Sequence, residues 1–175
     1  ALVKMYLSGR FGQKPDDVNA YAASSFYAVD RFASYKTDWG AFYREGGLVL
    51  SDRYTTSNAV HQCSKLPPAQ WDGFLNWLFD FEYKKIGIPE PDLVLYLAVD
   101  PEVSQKLLEN RYHGDESKKD IQEKDREYMA RSRAAAEYCA RTLGWQRIEC
   151  TCAGRAMRPV EEINAEILAK TDRIL

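Results

Sequence analysis

A short stretch near the middle of the chain concentrates polar residues that can bind phosphate, metal and a heterocyclic base. Asp52 and Arg53 follow the apolar run 47–50, whose length and composition predict a buried parallel strand. Ligands of open α/β sheets gather beyond the carboxyl ends of the strands, where a carboxylate can serve magnesium and a guanidinium can serve phosphate. The same pair could instead cap the next helix and bond internally, so the dipeptide alone leaves both interpretations open.

The residues that follow place three polar side chains on one helical face. Hydroxyl side chains at 55–57 favour a helix amino terminus, and Asn58 precedes His61 by three positions and Gln62 by four. An amide such as that of Asn58 carries both a donor and an acceptor, which matches the O4 and N3–H edge of thymine. A lone Asn or His near a helix start is more often a local hydrogen-bonding residue, and that alternative stays open.

The same stretch carries a family resemblance through Asp52, Arg53, Tyr54, Ser57 and Asn58. It resembles the Asp-Arg-Tyr/His motif of thymidylate kinases, which continues in several bacterial members as Asp-Arg-Tyr-x-x-Ser-Asn-x-x-Tyr. The resemblance implies that Arg53 contacts the phosphates of the monophosphate substrate. It also implies that Asp52 lies near the metal and the phosphates, and that Asn58 contacts thymine.

The chain departs from this motif at His61, where those members carry Tyr. In the family that Tyr lies under the deoxyribose and helps to exclude a 2′-hydroxyl. The resemblance therefore implies that His61 borders the sugar, with less strict selection for deoxynucleotides. Gln62 beside it is a further predicted substrate-binding residue.

A second block, 25–31, resembles the Phe-x-x-x-Arg element of the same kinases, in which the aromatic ring stacks on thymine and the Arg reaches a base carbonyl. Counting back four residues from Arg31 gives Tyr27, and this spacing places both side chains on one helix face. Phe26 falls instead on an apolar stripe and is predicted to be core. Core packing for Tyr27 and a solvated surface charge for Arg31 are the alternative interpretations.

The remaining pattern predicts alternating helices and strands. Helices are expected over 1–7, 16–35, 39–43, after Pro67-Pro68, over 102–108, up to about 143 and at the carboxyl-terminal end. Apolar runs at 91–100 and 146–150 predict two further strands, and the first resembles the Pro-Asp-Leu-x-x-Tyr-Leu strand of thymidylate kinases. The resemblance implies an α/β fold of the P-loop kinase type, with three layers, α/β/α, and a parallel sheet of order 2-3-1-4-5.

The motif Gly-x-x-x-x-Gly-Lys-Ser/Thr, which binds ATP phosphates, does not occur in the 175 residues. The three predicted strands correspond to the third, fourth and fifth of the family sheet. We expect either that a segment on the order of 40 residues with the first two strands and the P-loop precedes this sequence, or that the chain is a noncatalytic nucleotide-binding relative.

Two loops complete the predicted site. The charged segment 110–120 corresponds to the mobile lid of the family, and its cations Arg111, Lys118 and Lys119 are candidates for stabilising the transferred phosphoryl group. A solvated charge run is the alternative for each of them. The resemblance also places the loop 152–155 near adenine, which makes Ala153 and Arg155 candidate ATP-binding residues.

The composition excludes several classes of protein. The chain has 24 basic and 26 acidic residues and 45% hydrophobic residues, which favours a single globular domain over 1–175 and gives no sign of a nucleic-acid binder. No apolar run predicts a membrane span, and we expect a cytoplasmic protein. The four cysteines do not suggest a disulfide framework, and Cys150 and Cys152 are interpreted as a strand end rather than as metal ligands.

Together, the resemblance implies a thymidylate kinase that uses ATP and Mg²⁺ to convert dTMP to dTDP, with Asp52 near the metal. It also implies a homodimer formed through helices in the part of the chain that includes the helix after Pro67-Pro68. The aromatic residues of that helix are compatible both with such a surface and with core packing. The alternative enzyme is a deoxynucleoside kinase, whose acceptor is a hydroxyl group.

Overall fold

The computed structural model describes residues 2–113, 115, 119–153 and 156–172. Its internal contacts divide the chain into two compact units. The first unit comprises Ala1–Glu90 and Asp120–Ala136, and the second comprises Pro91–Lys119 and Glu137–Leu175. A single domain over 1–175 stays a prediction, and each unit is described by itself.

The first unit is built from helices in the residues that the structure describes. They are α1 (Leu2–Leu7), α2 (Ala20–Ser34), α3 (Gly40–Arg44), α4 (Thr55–Cys63) and α5 (Trp71–Phe79). Short 3₁₀ turns occupy Pro15–Asp17 and Pro68–Gln70, and π-helical segments at Tyr35–Trp39 and Asp80–Ile86 continue α2 and α5. The predicted helices of this region are confirmed. The second begins at Ala20 rather than at 16, because the side chain of Asn19 accepts a hydrogen bond from the N–H of Ala22 at 2.9 Å.

The core of the first unit forms where α1 and α2 pack together. Tyr6, Val18, Ala23 and Ile121 are buried there, and Phe26 packs against them together with other partly buried apolar side chains. This confirms that Phe26 belongs to the core. The apolar face of α5 is buried at the predicted three- and four-residue spacing by Trp71, Phe74, Leu75 and Leu78.

The second unit contains the sheet. Strands β1 (Leu95–Ala98) and β2 (Gln146–Glu149) pair in parallel, with Leu95 opposite Gln146. Helices α6 (Pro101–Arg111) and α8 (Val160–Thr171) lie in this unit, and α7 (Arg126–Thr142) begins in the first unit and ends in the second. The α/β class and the parallel pairing are confirmed. The strand order 2-3-1-4-5 stays a prediction.

The predicted strand at 47–50 is wrong. The backbone there has no regular structure, and Leu48 and Leu50 are 64% and 93% exposed. A buried parallel strand needs hydrogen-bonded neighbours and covered faces, and the described residues offer this segment no strand partner.

The remaining expectations concern cysteines and membranes. Cys139, Cys150 and Cys152 are free thiols, and β2 ends just before Cys150, which supports a strand end there. Within the described ranges, no helix has the length and apolar character required to cross a bilayer.

Candidate functional site

A cavity of about 280 Å³ in the first unit brings together residues from both sequence motifs. Its walls include Tyr27 and Arg31 from α2, Arg53 from the loop before α4, and Asn58, His61 and Gln62 from α4. One helical turn separates the α2 pair, and the α4 residues follow the three- and four-residue spacing of a single face. These six predicted residues therefore share one hollow, although residues 27–31 and 53–62 are distant in sequence.

Arg31 is held by a buried ion pair. Its Nε and Nη2 donate hydrogen bonds to the two carboxylate oxygens of Glu82, each at 2.8 Å. The side chain of Arg31 is 17% exposed and that of Glu82 is fully buried. The interpretation of Arg31 as a solvated surface charge is therefore wrong, because its side chain is enclosed and paired.

Glu82 is a site residue that the sequence analysis missed. It lies in the π-helical segment after α5, four residues beyond Leu78 and seven beyond Leu75. A carboxylate at a position that continues an apolar helix face must find a partner when it is buried. That irregularity in the pattern was the available signal.

The amide of Asn58 is fixed on its protein side. Its Nδ2 donates to the backbone oxygen of Ser24 at 3.2 Å and to Oε1 of Glu82 at 3.1 Å. Asn58 is only 3% exposed, so these bonds replace the water that it would otherwise bind. The local hydrogen-bonding alternative is thus wrong for the Asn58 side chain, because its amide bonds to α2 and to the segment after α5, both distant in sequence, and it also lines the cavity.

Tyr54 covers Arg31 from another side. The Cζ atom of Arg31 lies 5.7 Å from the centre of the Tyr54 ring, a cation–π distance. The Tyr54 hydroxyl donates to the backbone oxygen of Pro89 at 2.8 Å. Burial raises the pKa of Tyr54, so the ring carries a neutral phenol beside the guanidinium.

Arg53 has an unusual backbone. Its φ of 72° lies in the left-handed region, which non-glycine residues adopt at a cost. Its Nε donates to Oγ of Ser57 at 3.1 Å, and its backbone oxygen accepts a hydrogen bond from Ser51 at 2.9 Å. Such strain is common at binding sites, and here it accompanies a guanidinium on the cavity wall.

His61 and Gln62 add a neutral imidazole and a buried amide to the cavity wall. Burial, with Arg53 and Lys65 nearby, lowers the pKa of His61 to about 3, so the imidazole is neutral at physiological pH. Gln62 is fully buried, and neither Nε2 nor Oε1 of its amide has a hydrogen-bond partner in the described part of the chain. A buried amide on a cavity wall without a partner points to a polar ligand.

Tyr27 is packed on one side by the core. Its ring meets that of Tyr6 edge to face, with 6.4 Å between the centroids and 87° between the planes. Burial, followed by the neighbouring Tyr6, raises its pKa to about 12. The core alternative and the cavity are therefore compatible for this residue, because it packs against the core cluster and also lines the hollow.

The other predicted residues lie elsewhere. Asp52 is exposed and is not among the cavity-lining residues. Arg111 is exposed at the end of α6, Lys119 is buried, and Ala153 is exposed, all in the second unit. Lys118 and Arg155 lie outside the described residues.

A magnesium ion of the expected kind would need few protein ligands. Among the residues with a described position, no group of three or more His, Cys, Asp and Glu side chains is arranged to hold a metal. Mg²⁺ is commonly bound through one or two carboxylates together with nucleotide phosphates and water. The exposed carboxylate of Asp52 stays a predicted magnesium ligand.

The hollow of the first unit joins two guanidinium groups, an amide and a tyrosine ring, which are groups that can bind phosphate and a heterocyclic base. The thymidylate kinase family model matches residues 5–152. The chain belongs to the thymidylate kinase family.

Individual relatives agree with this. A thymidylate kinase from Mycobacterium tuberculosis is 30% identical over 141 residues, which cover 79% of this chain and 64% of that protein. A probable thymidylate kinase from Staphylothermus marinus is 33% identical over 88 residues, covering 50% and 40% of the two chains. The chain thus spans a little under two-thirds of the length of the mycobacterial relative.

Proposed function

We propose that the protein is a thymidylate kinase that transfers the γ-phosphoryl group of ATP to dTMP, giving ADP and dTDP. The observation that carries the proposal is the single cavity lined by Tyr27, Arg31, Arg53 and Asn58. The cavity offers the ring of Tyr27 and the polar groups of Arg31 and Asn58 to a base. The guanidinium of Arg53 is a second cation, available for a phosphate. No one of these residues is specific, but their convergence matches a pyrimidine monophosphate.

The roles follow from chemistry and position. The ring of Tyr27 stacks on thymine, while Arg31 and Asn58 bind its polar edge. Arg53 binds the acceptor phosphate, since a guanidinium offers several donors in a geometry that suits phosphate oxygens. His61 borders the sugar as a neutral imidazole, and Gln62 offers both a donor and an acceptor to the bound nucleotide.

The reaction requires alignment more than proton transfer. The acceptor oxygen of dTMP is already anionic, so the protein has to bring it in line with ATP and to stabilise the charge on the transferred group. We assign that stabilisation to Arg53 and to the lid candidates Arg111, Lys118 and Lys119. Mg²⁺ would neutralise phosphate charge when bound, and Asp52 would hold it or its water.

The rest of the proposal rests on the family. Ala153 and Arg155 lie in the loop that would contact adenine. We also propose a cytoplasmic homodimer that binds no nucleic acid and no membrane. The sequence suggested the helix after Pro67-Pro68 for the dimer surface, but the apolar face of that helix is buried in the first unit. The exposed apolar side chains of Tyr21, Val29 and Phe32 on α2 support a dimer surface there instead.

The test is a phosphoryl-transfer assay on the full-length protein with ATP, Mg²⁺ and dTMP. ADP and dTDP formed in equal amounts would support the proposal. Binding of dTMP without ADP formation would instead identify a noncatalytic relative.

Thymidine should be assayed beside dTMP. A deoxynucleoside kinase needs a base to activate its hydroxyl acceptor, and Asp120 is a carboxylate on the cavity wall that could serve as one. Faster turnover of thymidine than of dTMP would therefore favour that alternative.

A further inference from the structure

A buried carboxylate that the scheme above does not use holds two of the residues assigned to the base. Glu82 is fully buried in the π-helical segment after α5. Its Oε2 accepts from Nε of Arg31 at 2.8 Å, and its Oε1 accepts from Nη2 of Arg31 at 2.8 Å and from Nδ2 of Asn58 at 3.1 Å. One carboxylate therefore orients both a guanidinium and an amide on the cavity wall.

This arrangement permits only one orientation of the Asn58 amide. The atom of that amide that faces Glu82 also lies 3.2 Å from the backbone oxygen of Ser24. A carboxylate oxygen and a backbone oxygen both accept hydrogen bonds, so the amide atom between them must be the NH₂ group. The carbonyl oxygen Oδ1 is then the atom that Asn58 can offer to a ligand.

A fixed acceptor discriminates between pyrimidines. Thymine and uracil carry a hydrogen on N3 and can donate it to Oδ1 of Asn58. N3 of cytosine carries a lone pair, so the two atoms repel and neither gains a hydrogen bond. An amide that was free to turn would accept either base, because its NH₂ group could face cytosine.

We propose that Glu82 is a positioning residue that locks the Asn58 amide with its oxygen toward the cavity, and thereby selects pyrimidines with an N3–H over cytosine. This inference rests on the proposed function, because it takes the cavity as the site of a pyrimidine monophosphate. Glu82 acts through Asn58 and Arg31 and has no direct contact with the base.

The test substitutes Glu82→Met in the full-length protein and measures binding of dTMP and dCMP by calorimetry, together with steady-state kinetics. Methionine keeps the length of the side chain but has no oxygen that accepts from Arg31 or Asn58, whereas the oxygen of a glutamine could replace Oε1 and still hold Nδ2 of Asn58. We expect dTMP affinity to fall about tenfold to a hundredfold, with dCMP affected less, so that the dTMP to dCMP preference narrows. The loss should appear in KM more than in kcat.

Glu90→Met is the matched control, because it makes the same change at an exposed position of the same unit. It should leave the preference unchanged. A folded Glu82→Met protein that keeps the wild-type preference would overturn the inference while leaving the proposed function intact. A wild-type protein that fails to bind dTMP would overturn the proposed function, and this inference with it.

A second measurement covers the case in which Glu82→Met does not fold. A crystal structure of the wild-type protein with dTMP should have Oδ1 of Asn58 within hydrogen-bond distance of N3, while Nδ2 stays on Glu82. An Asn58 side chain turned away from Glu82, or a direct contact between Glu82 and the base, would refute the positioning role.

Discussion

The rings of Tyr128 and His61 lie nearly parallel, with 14° between their planes and 6.0 Å between their centroids. The Tyr128 hydroxyl donates to the backbone oxygen of His61 at 3.1 Å and lies 3.2 Å from its Nδ1. Both contacts are satisfied when Nδ1–H donates to the hydroxyl, which leaves Nε2 as an acceptor. The imidazole is thus held in one place and in one neutral form.

This environment predicts a specific dependence of stability on pH. The pKa of His61 is lowered to about 3 in the folded protein, against an ordinary value of 6.5. Between these values the unfolded chain binds a proton that the folded protein does not. Stability therefore falls as pH decreases through this window, by up to about 1.4 kcal/mol per pH unit from this group. We expect His61→Gln to flatten the dependence, as measured by urea unfolding between about pH 5 and pH 7.

His113→Gln is the control for that experiment, because it changes the other histidine of the sequence, which is exposed. A flattening of equal size in both variants would contradict a special environment at His61.

Arg53→Ala should lower kcat/KM for dTMP by about a hundredfold to a thousandfold, because a charged contact to the acceptor phosphate is lost. Alanine is itself strained at a φ of 72°, so Arg53→Gly should be measured in parallel, since glycine adopts this backbone freely. Similar losses in the two variants assign the effect to the guanidinium. Near-wild-type turnover in either of them would refute a role of Arg53 in phosphate binding. Arg44→Ala, at an exposed position, is the control for a generic loss of charge.

Tyr27→Ala should raise the KM for dTMP with a smaller effect on kcat, because stacking on the base contributes to binding in both the ground state and the transition state. Tyr27→Phe keeps the ring and should stay within a few-fold of wild type, on the order of 1 kcal/mol or less. Steady-state kinetics at varied dTMP gives both constants. Unchanged affinity for dTMP in a folded Tyr27→Ala protein would assign the residue to the core alone.

Arg31→Met should destabilise the fold by about 3 to 5 kcal/mol, because it leaves the buried carboxylate of Glu82 without its cation. The exposed pair of Lys85 and Asp80, at 2.7 Å, offers a comparison. Lys85→Met should change the free energy of unfolding by about 1 kcal/mol or less, since solvent screens that pair. Equal losses in urea titrations of the two variants would contradict the burial argument.

The sequence predicts most of the local structure because periodicity and capping are local properties. The two parallel strands, the helices and the core position of Phe26 follow from apolar spacing that nearby residues can satisfy. The strand at 47–50 could not be predicted correctly in this way. Its apolar pattern is that of a buried strand, but pairing depends on neighbours elsewhere in the chain, and the described residues supply none.

The sequence indicated which residues line the candidate site better than it indicated how they are linked. The spacing of Tyr27 from Arg31 and of Asn58 from His61 indicated which side chains share a face. The link between those faces is Glu82, distant in sequence from both, and its local sign is a carboxylate that continues the apolar face of α5, which does not name its partners. The left-handed backbone of Arg53 could not be predicted, because a non-glycine residue carries no local signal for it.

Gln62 carries an enclosed amide that receives no hydrogen bond from the described chain in return for the water that it gave up. Replacing it with an apolar residue of similar size should therefore help folding. We expect Gln62→Met to raise the melting temperature through a gain on the order of 1 to 3 kcal/mol in the free energy of unfolding, while nucleotide binding weakens. The amide at position 62 would then lower thermal stability while it improves nucleotide selectivity. The folded protein would be most stable with its substrate bound.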